Sequence, residues 1–258
     1  MKSILPASLL ALLCVAIGCT RPSTKNTGSE NQPPSVNSTY NEADTISIIK
    51  ATAYTGHVYP ELFEASFFDS TKVHYLGDLF TFSTKQIGML HVESGKLVTC
   101  DPINLGVTAP FTQKFPVGNF PVQLALEEEG NYREPAFARV LFSDKEVVRW
   151  EDAVTLGQQH YALTDSIIHC YNVDAGMGVF IDSVAAAVFN QLSSANPTGQ
   201  WDKAFMGDWQ WGRVYSFSNH NLACFTSGAG DGCYGTYIGF AADGKPCRLL
   251  TDFGLQRW

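Results

Sequence analysis

The stretch Ser227–Phe253, SGAGDGCYGTYIGFAADGKPCRLLTDF, decides the fold of this chain. Tyr234–Phe240 and Arg248–Phe253 are short runs of strand-favouring residues, and Asp243-Gly244 stands between them. Asp-Gly is the strongest turn signal in the chain. The two runs therefore predict paired antiparallel strands. Upstream, Leu222–Thr226 and the glycine loop Ser227–Gly232 repeat the same strand-turn-strand grammar.

The pattern extends outward. Val73–Phe82, Gln86–Val92 and Lys96–Cys100 are further strand-like runs, the last two meeting at Glu93-Ser94-Gly95, which predicts a hairpin. Phe120–Leu126 and Phe137–Phe142 flank a polar segment, Glu127–Pro135, and Val214–Phe217 adds another strand. Helical patterns are few. Ser183–Leu192 carries Val184, Val188 and Leu192 on one face and ends shortly before Pro197; Trp150–Leu156 and Glu61–Ser66 are shorter candidates. The expected fold class is α+β, mainly antiparallel β as a sandwich or open barrel, with one to three short helices.

The N-terminus has a different composition. Lys2 precedes an apolar run from Ile4 to Ile17, and Gly18-Cys19 closes it. A basic start, a short apolar core and a small residue before cysteine form a bacterial lipoprotein signal. The run falls short of the roughly 20 residues that span a hydrocarbon core. Cys14 follows Leu13, where the peptidase pocket takes a small residue, so Cys19 is the expected lipidation site. Residues 1–18 are then the signal peptide, 19–44 a lipid-anchored stalk and 45–258 one globular domain. The stalk, TRPSTKNTGSENQPPSVNSTYNEAD after Cys19, is too polar to bury a core of its own. Palmitate-class acyl chains, each CH₂ contributing about 0.8 kcal/mol, would hold the protein to a membrane. Thr20 stands where Asp would retain the protein at the inner membrane, so the expected location is the cell envelope, on the outer membrane facing the periplasm.

The net charge of −8 is carried without any lysine or arginine cluster. That argues against nucleic acid as a partner. Besides Cys14 and Cys19 there are Cys100, Cys170, Cys224, Cys233 and Cys247, an odd number with no CxxC or Cys/His spacing for zinc. If Leu222–Thr226 folds back on Gly232–Phe240, Cys224 and Cys233 come opposite each other and form the candidate disulfide.

Three segments, GKLVTCDP (Gly95–Pro102) with PVGNFPVQL (Pro116–Leu124), YNVDAGMGVFID (Tyr171–Asp182) and Ser227–Phe253, together resemble the bacterial family known as domain of unknown function 4241. The family order is Cys/Ala-Asp-Pro after a strand, a Pro-Gly-x-[Tyr/Phe]-Pro-Val element, Val-Asp-Ala-Gly-x-Gly, and Ser-Gly-x-Gly-Asp-Gly-x-Tyr before a terminal Asp-Phe; Val117 departs from it, standing where the family commonly has Pro. The resemblance implies no activity.

The chemistry-bearing candidates lie in these glycine segments. Asp174 and Asp182 flank one bend and Asp231 sits in another, so the three are candidate ligands for Mg²⁺ or Ca²⁺. Each also has a structural reading. Asp182 stands where it would cap the helix that follows, Asp174 would bond its own backbone, and Asp231 would bond loop amides. Asp101 and Asp252 could join them in an acid cluster for metal-assisted hydrolysis. The six histidines occupy no ligand spacing, and the loop at Ser227 lacks both the Walker ending and the nucleophile-elbow order. Trp201, Trp209 and Trp211 stand in a polar loop that would either pack or meet a partner. Two functions follow from this pattern. One is a non-catalytic binding or interaction module, with a protein or peptide as partner and no cofactor. The other is a metal-dependent envelope hydrolase using clustered aspartates.

Overall fold

The computed structural model describes residues 60–258 apart from 70, 76–77, 166–167, 208 and 257; the expected signal peptide, the expected lipidation site Cys19 and the expected stalk lie outside the described residues. In chain order the strands are β1 Lys72–Tyr75, β2 Asp78–Val92, β3 Leu97–Cys100, β4 Gly118–Glu129, β5 Tyr132–Leu141, β6 Arg149–Asp152, β7 Cys170–Val173, β8 Met177–Asp182, β9 Gly212–Phe217, β10 His220–Thr226, β11 Gly232–Phe240 and β12 Pro246–Asp252. Helix α1 is Leu62–Ala65, α2 Ser183–Ala195 and α3 Pro197–Phe205.

All the pairings are antiparallel. The expected hairpin around Asp243-Gly244 is present, with Ile238 opposite Leu249 and Tyr237 opposite Leu250. So is the β4–β5 hairpin, whose strands run through the polar segment to a turn at Gly130-Asn131. The larger sheet has the order β1-β2-β4-β5-β12-β11-β6, and β7 pairs with the half of β11 that β6 leaves free. The smaller sheet is β3-β8-β10-β9.

The two-residue period of a strand builds the layers. On β8, Phe180 faces the larger sheet, while Val179 and Ile181 face α2 and α3; on β10, Ala223 and Phe225 face inward and Leu222 and Cys224 face the helices. The main core therefore lies between the sheets, where Phe180 and Phe225 meet Leu90, Val122, Leu124, Ile238 and Leu249. Full burial of each such side chain contributes about 1.5–3 kcal/mol. The outer face of the larger sheet carries Phe82, Phe137, Tyr237 and Leu250 against Leu62 and Phe63 of α1.

A short helix has little stability of its own, and charge fixes α1 in place. Arg248 gives Glu64 a two-pronged contact, Nε to Oε1 at 3.0 Å and Nη2 to Oε2 at 3.0 Å, and Arg139 Nη1 adds a bond of 3.1 Å to Oε1. Burial pulls the Arg139 guanidinium down to about 10, against the opposing pull of Glu64.

Three expectations need correction. Glu93-Ser94-Gly95 does not close a hairpin: β2 belongs to the larger sheet and β3 to the smaller, so the turn carries the chain across the sandwich. Ser227–Asp231 does the same between β10 and β11, and this removes the basis of the Cys224–Cys233 bridge. Cys224 instead faces the helix layer, with its Sγ 3.6 Å from the carbonyl oxygen of Ala204, and Cys233 is disulfide-bonded to Cys170 on neighbouring β7 at a Cα separation of 5.4 Å. Cys100, Cys224 and Cys247 are free and buried. Trp150–Leu156 is not helical: its first half is edge strand β6, paired with Tyr237–Phe240. Pro197 follows α2 as expected, and it also starts α3, because Asn196 accepts the Gly199 N–H at 3.2 Å and proline suits the first helical position.

Candidate functional site

Three glycine-bearing turns take the chain from one sheet to the other: Glu93–Gly95, Asp174–Gly176 and Ser227–Asp231. A strand that leaves its sheet abandons its ladder, so the amides at the corner need new acceptors. Two buried carboxylates supply them. Asp182, at the end of β8, accepts the N–H of Glu93 at 3.1 Å and of Ser94 at 2.8 Å on Oδ2, and the N–H of Val184 at 2.9 Å on Oδ1. One side chain thus caps α2 and ties down the first corner. Asp101, after β3, accepts the Ile103 N–H at 2.7 Å on Oδ1, and the N–H groups of Asp174 and Ala175 at 2.7 and 2.8 Å on Oδ2. Both aspartates are fully buried. At the third corner, the Ser227 N–H donates to the Gly176 carbonyl at 3.1 Å, and the hydroxyls of Ser227 and Tyr234 each donate to the Gly230 carbonyl at 2.7 Å. Gly228 there has φ +57°, and a Cβ would stand 2.7 Å from the Pro135 carbonyl oxygen.

The carboxylates of Asp174 and Asp231 do not make the loop bonds that the structural reading expects. Both residues are exposed, and among the described residues no hydrogen bond ties either carboxylate to its loop. Asp182 does cap its helix. Asp252 bonds the N–H of Gly254 at 2.8 Å and Nε1 of Trp258 at 2.6 Å, and burial pushes its carboxyl up to about 6 despite those donors. Among the described residues no three His, Cys, Asp or Glu side chains are grouped so as to hold a metal ion. Trp201 packs at 5.1 Å on Phe205 and also lines a cavity beside α2, Trp209 lies under the Arg213 guanidinium at 5.8 Å, and Trp211 donates to the Arg133 carbonyl beneath the Lys85 ammonium.

Two cavities are present among the described residues: a more open one of about 540 Å³ beside α2, lined by Pro102, Leu105, Phe189, Asn190 and Trp201, and one between the sheets near the second corner. The second, of about 200 Å³, is bounded by β3, β7 and β11 and by the segments around Thr108 and Thr155. Its walls carry the hydroxyls of Thr99, Thr108, Thr155, Tyr171, Tyr234 and Thr236 beside apolar Phe111 and Ala153, and they include no Asp, Glu, Lys or Arg. The Tyr171 and Thr99 oxygens are buried without a hydrogen-bond partner. Burial also drives the Tyr171 phenol far above its ordinary range and the Cys100 thiol up to about 12, so both stay protonated. At the rim, His169 lies 2.8 Å through Nε2 from the Gln159 carbonyl and 3.9 Å from Asp152, which also holds His160 at 2.8 Å.

The model of a family described as protein of unknown function, DUF4241, matches residues 90–251. The chain belongs to the DUF4241 family. Neither a curated protein nor a solved structure gives a match. The DUF4241 span contains all three corners, both buried aspartates and the cavity walls, and it excludes α1 and Asp252. The motifs that carry the resemblance are therefore, in physical terms, corner pieces. Gly178 of the Val-Asp-Ala-Gly-x-Gly element shows this most directly. A Cβ there would come within 2.7 Å of the Tyr171 hydroxyl and 2.5 Å of the Phe225 ring, so only glycine leaves room for Tyr171 in the cavity wall. The role of Asp101 and the hydroxyl-lined cavity have no local signature, since their parts come from segments more than seventy residues apart.

Proposed function

We propose that this DUF4241 chain is an envelope lipoprotein, anchored by acyl chains on Cys19 and facing the periplasm from the outer membrane, whose globular domain holds a ligand and does not hydrolyse one with a metal. The observation that carries the choice is the employment of the acids. Asp101 and Asp182 spend their oxygens on six backbone amides and α2's first turn is among them, so they are part of the scaffold. A metal hydrolase needs carboxylates converging on open space. Neither cavity among the described residues has a carboxylate in its walls, and the one between the sheets is walled by hydroxyls instead. Export is supported by the Cys170–Cys233 disulfide, since such bonds persist outside the reducing cytosol.

Fractionation tests the anchoring. Cys19→Ala should move the protein from the membrane to the soluble fraction and block processing, and protease added to intact cells should leave the wild-type domain whole. Unchanged fractionation of the variant, or loss of the domain on shaving, overturns the placement. The holding role requires a domain whose unfolding is indifferent to Mg²⁺ and Ca²⁺.

A further inference from the structure

We propose that the cavity between β3, β7 and β11 binds a neutral, hydroxyl-rich molecule of monosaccharide size. The proposal rests on the holding role above and names the chemistry of what is held.

Size gives the first constraint. About 200 Å³ is many times the roughly 10–15 Å³ that one water needs, yet below the roughly 300–1,000 Å³ of sites for drug-sized molecules. Charge gives the second. With no carboxylate, ammonium or guanidinium in the walls, an ionic ligand would give up its hydration without a counter-charge. Hydrogen-bond capacity gives the third. A hydroxyl both donates and accepts, so a wall of threonines and tyrosines suits a ligand whose own groups do the same. Thr99, only 3% exposed, and Tyr171 both line the cavity and carry buried hydroxyls without hydrogen-bond partners. The Thr251 hydroxyl beside Tyr171 is engaged with Thr236 at 3.0 Å. His169, also in the wall, is held by the Gln159 carbonyl, which accepts from its Nε2 at 2.8 Å.

The test uses the purified full-length chain in a detergent without sugar groups. Glucose, galactose and N-acetylglucosamine are the neutral probes, with glucuronate and glucosamine as charged controls, read by saturation-transfer NMR and by unfolding temperature. At least one neutral probe should bind saturably. Tyr171→Phe and Thr99→Val should each weaken it roughly tenfold or more while unfolding at the wild-type temperature. The proposal is overturned if no neutral probe binds, if both variants bind like wild type, or if the charged controls bind equally well. Those failures leave the holding role standing, whereas metal-dependent unfolding would remove the holding role itself.

Discussion

Replacing Asp101 by asparagine changes one oxygen to an amide nitrogen at a fully buried junction, and the three bonds to Ile103, Asp174 and Ala175 allow its cost to be worked out. Oriented to keep Asp174 and Ala175, the new side chain aims its NH₂ at the Ile103 N–H; reversed, it loses two acceptors instead of one. The better orientation forfeits one charge-assisted bond of about 1.5–3 kcal/mol and weakens two others by removing the charge. The expected loss is about 2–4 kcal/mol, or roughly 5–15 °C in Tm for a domain of this size. Chemical denaturation should show a lower midpoint with an unchanged slope, and hydrogen exchange should show the Asp174 and Ala175 amides losing protection before the strands do. Asp231→Asn, at an exposed position with no such bonds, is the control and should fall within about 0.5 kcal/mol of wild type. If Asp101→Asn also stays within that margin, or if Asp231→Asn is equally damaging, the corner does not depend on Asp101 and the reasoning fails.

Two further outcomes follow from the same geometry. The Cys170–Cys233 bridge closes a loop with a sequence separation of 63, so Cys233→Ser should cost about 4 kcal/mol in the chain-entropy model; peptide mapping of the oxidised protein should recover that pair with Cys224 alkylating freely, and a Cys224–Cys233 peptide would contradict the fold. Because burial raises Asp252 to about 6, the fold favours its protonated form. Its contribution is full below the unfolded carboxyl value of about 4 and is lost as pH rises through about 6, at most about 3 kcal/mol in all. Carboxyl ¹³C NMR should place its midpoint near 6 and Asp252→Asn should lack that slope; a midpoint near 4 would refute it.

Much of the strand content was readable because turn chemistry is local. Asp243-Gly244 fixes the β11–β12 hairpin, and Asp182 ahead of an alanine-rich segment fixes the start of α2. What local reading cannot distinguish is a turn that folds back from one that crosses to another sheet, since both are strand-glycine-strand. The deciding acceptors are remote: Asp182 lies 88 residues from Ser94, and Asp101 lies 73 from Asp174. The mistaken disulfide has that cause, for Cys224 and Cys233 are symmetric about a turn that does not fold back. β8 was missed for a related reason. The glycines of YNVDAGMGVFID suggest a bend, but Val179, Phe180 and Ile181 are a strand buried on both faces, which shows an unbroken apolar run and no alternation. Trp150–Leu156 misled in the opposite direction, because four residues at a sheet edge are too few to separate one period from another.

The claim that the acids of this DUF4241 domain serve its backbone and that the domain holds a ligand without metal chemistry is tested most directly by unfolding the protein with and without millimolar Mg²⁺ or Ca²⁺. A metal present at a hundred times its dissociation constant stabilises the native state by about 2.7 kcal/mol, worth roughly 5–11 °C here. The account predicts the same Tm in EDTA, Mg²⁺ and Ca²⁺. A rise of several degrees that disappears in Asp174→Asn or Asp231→Asn would contradict it.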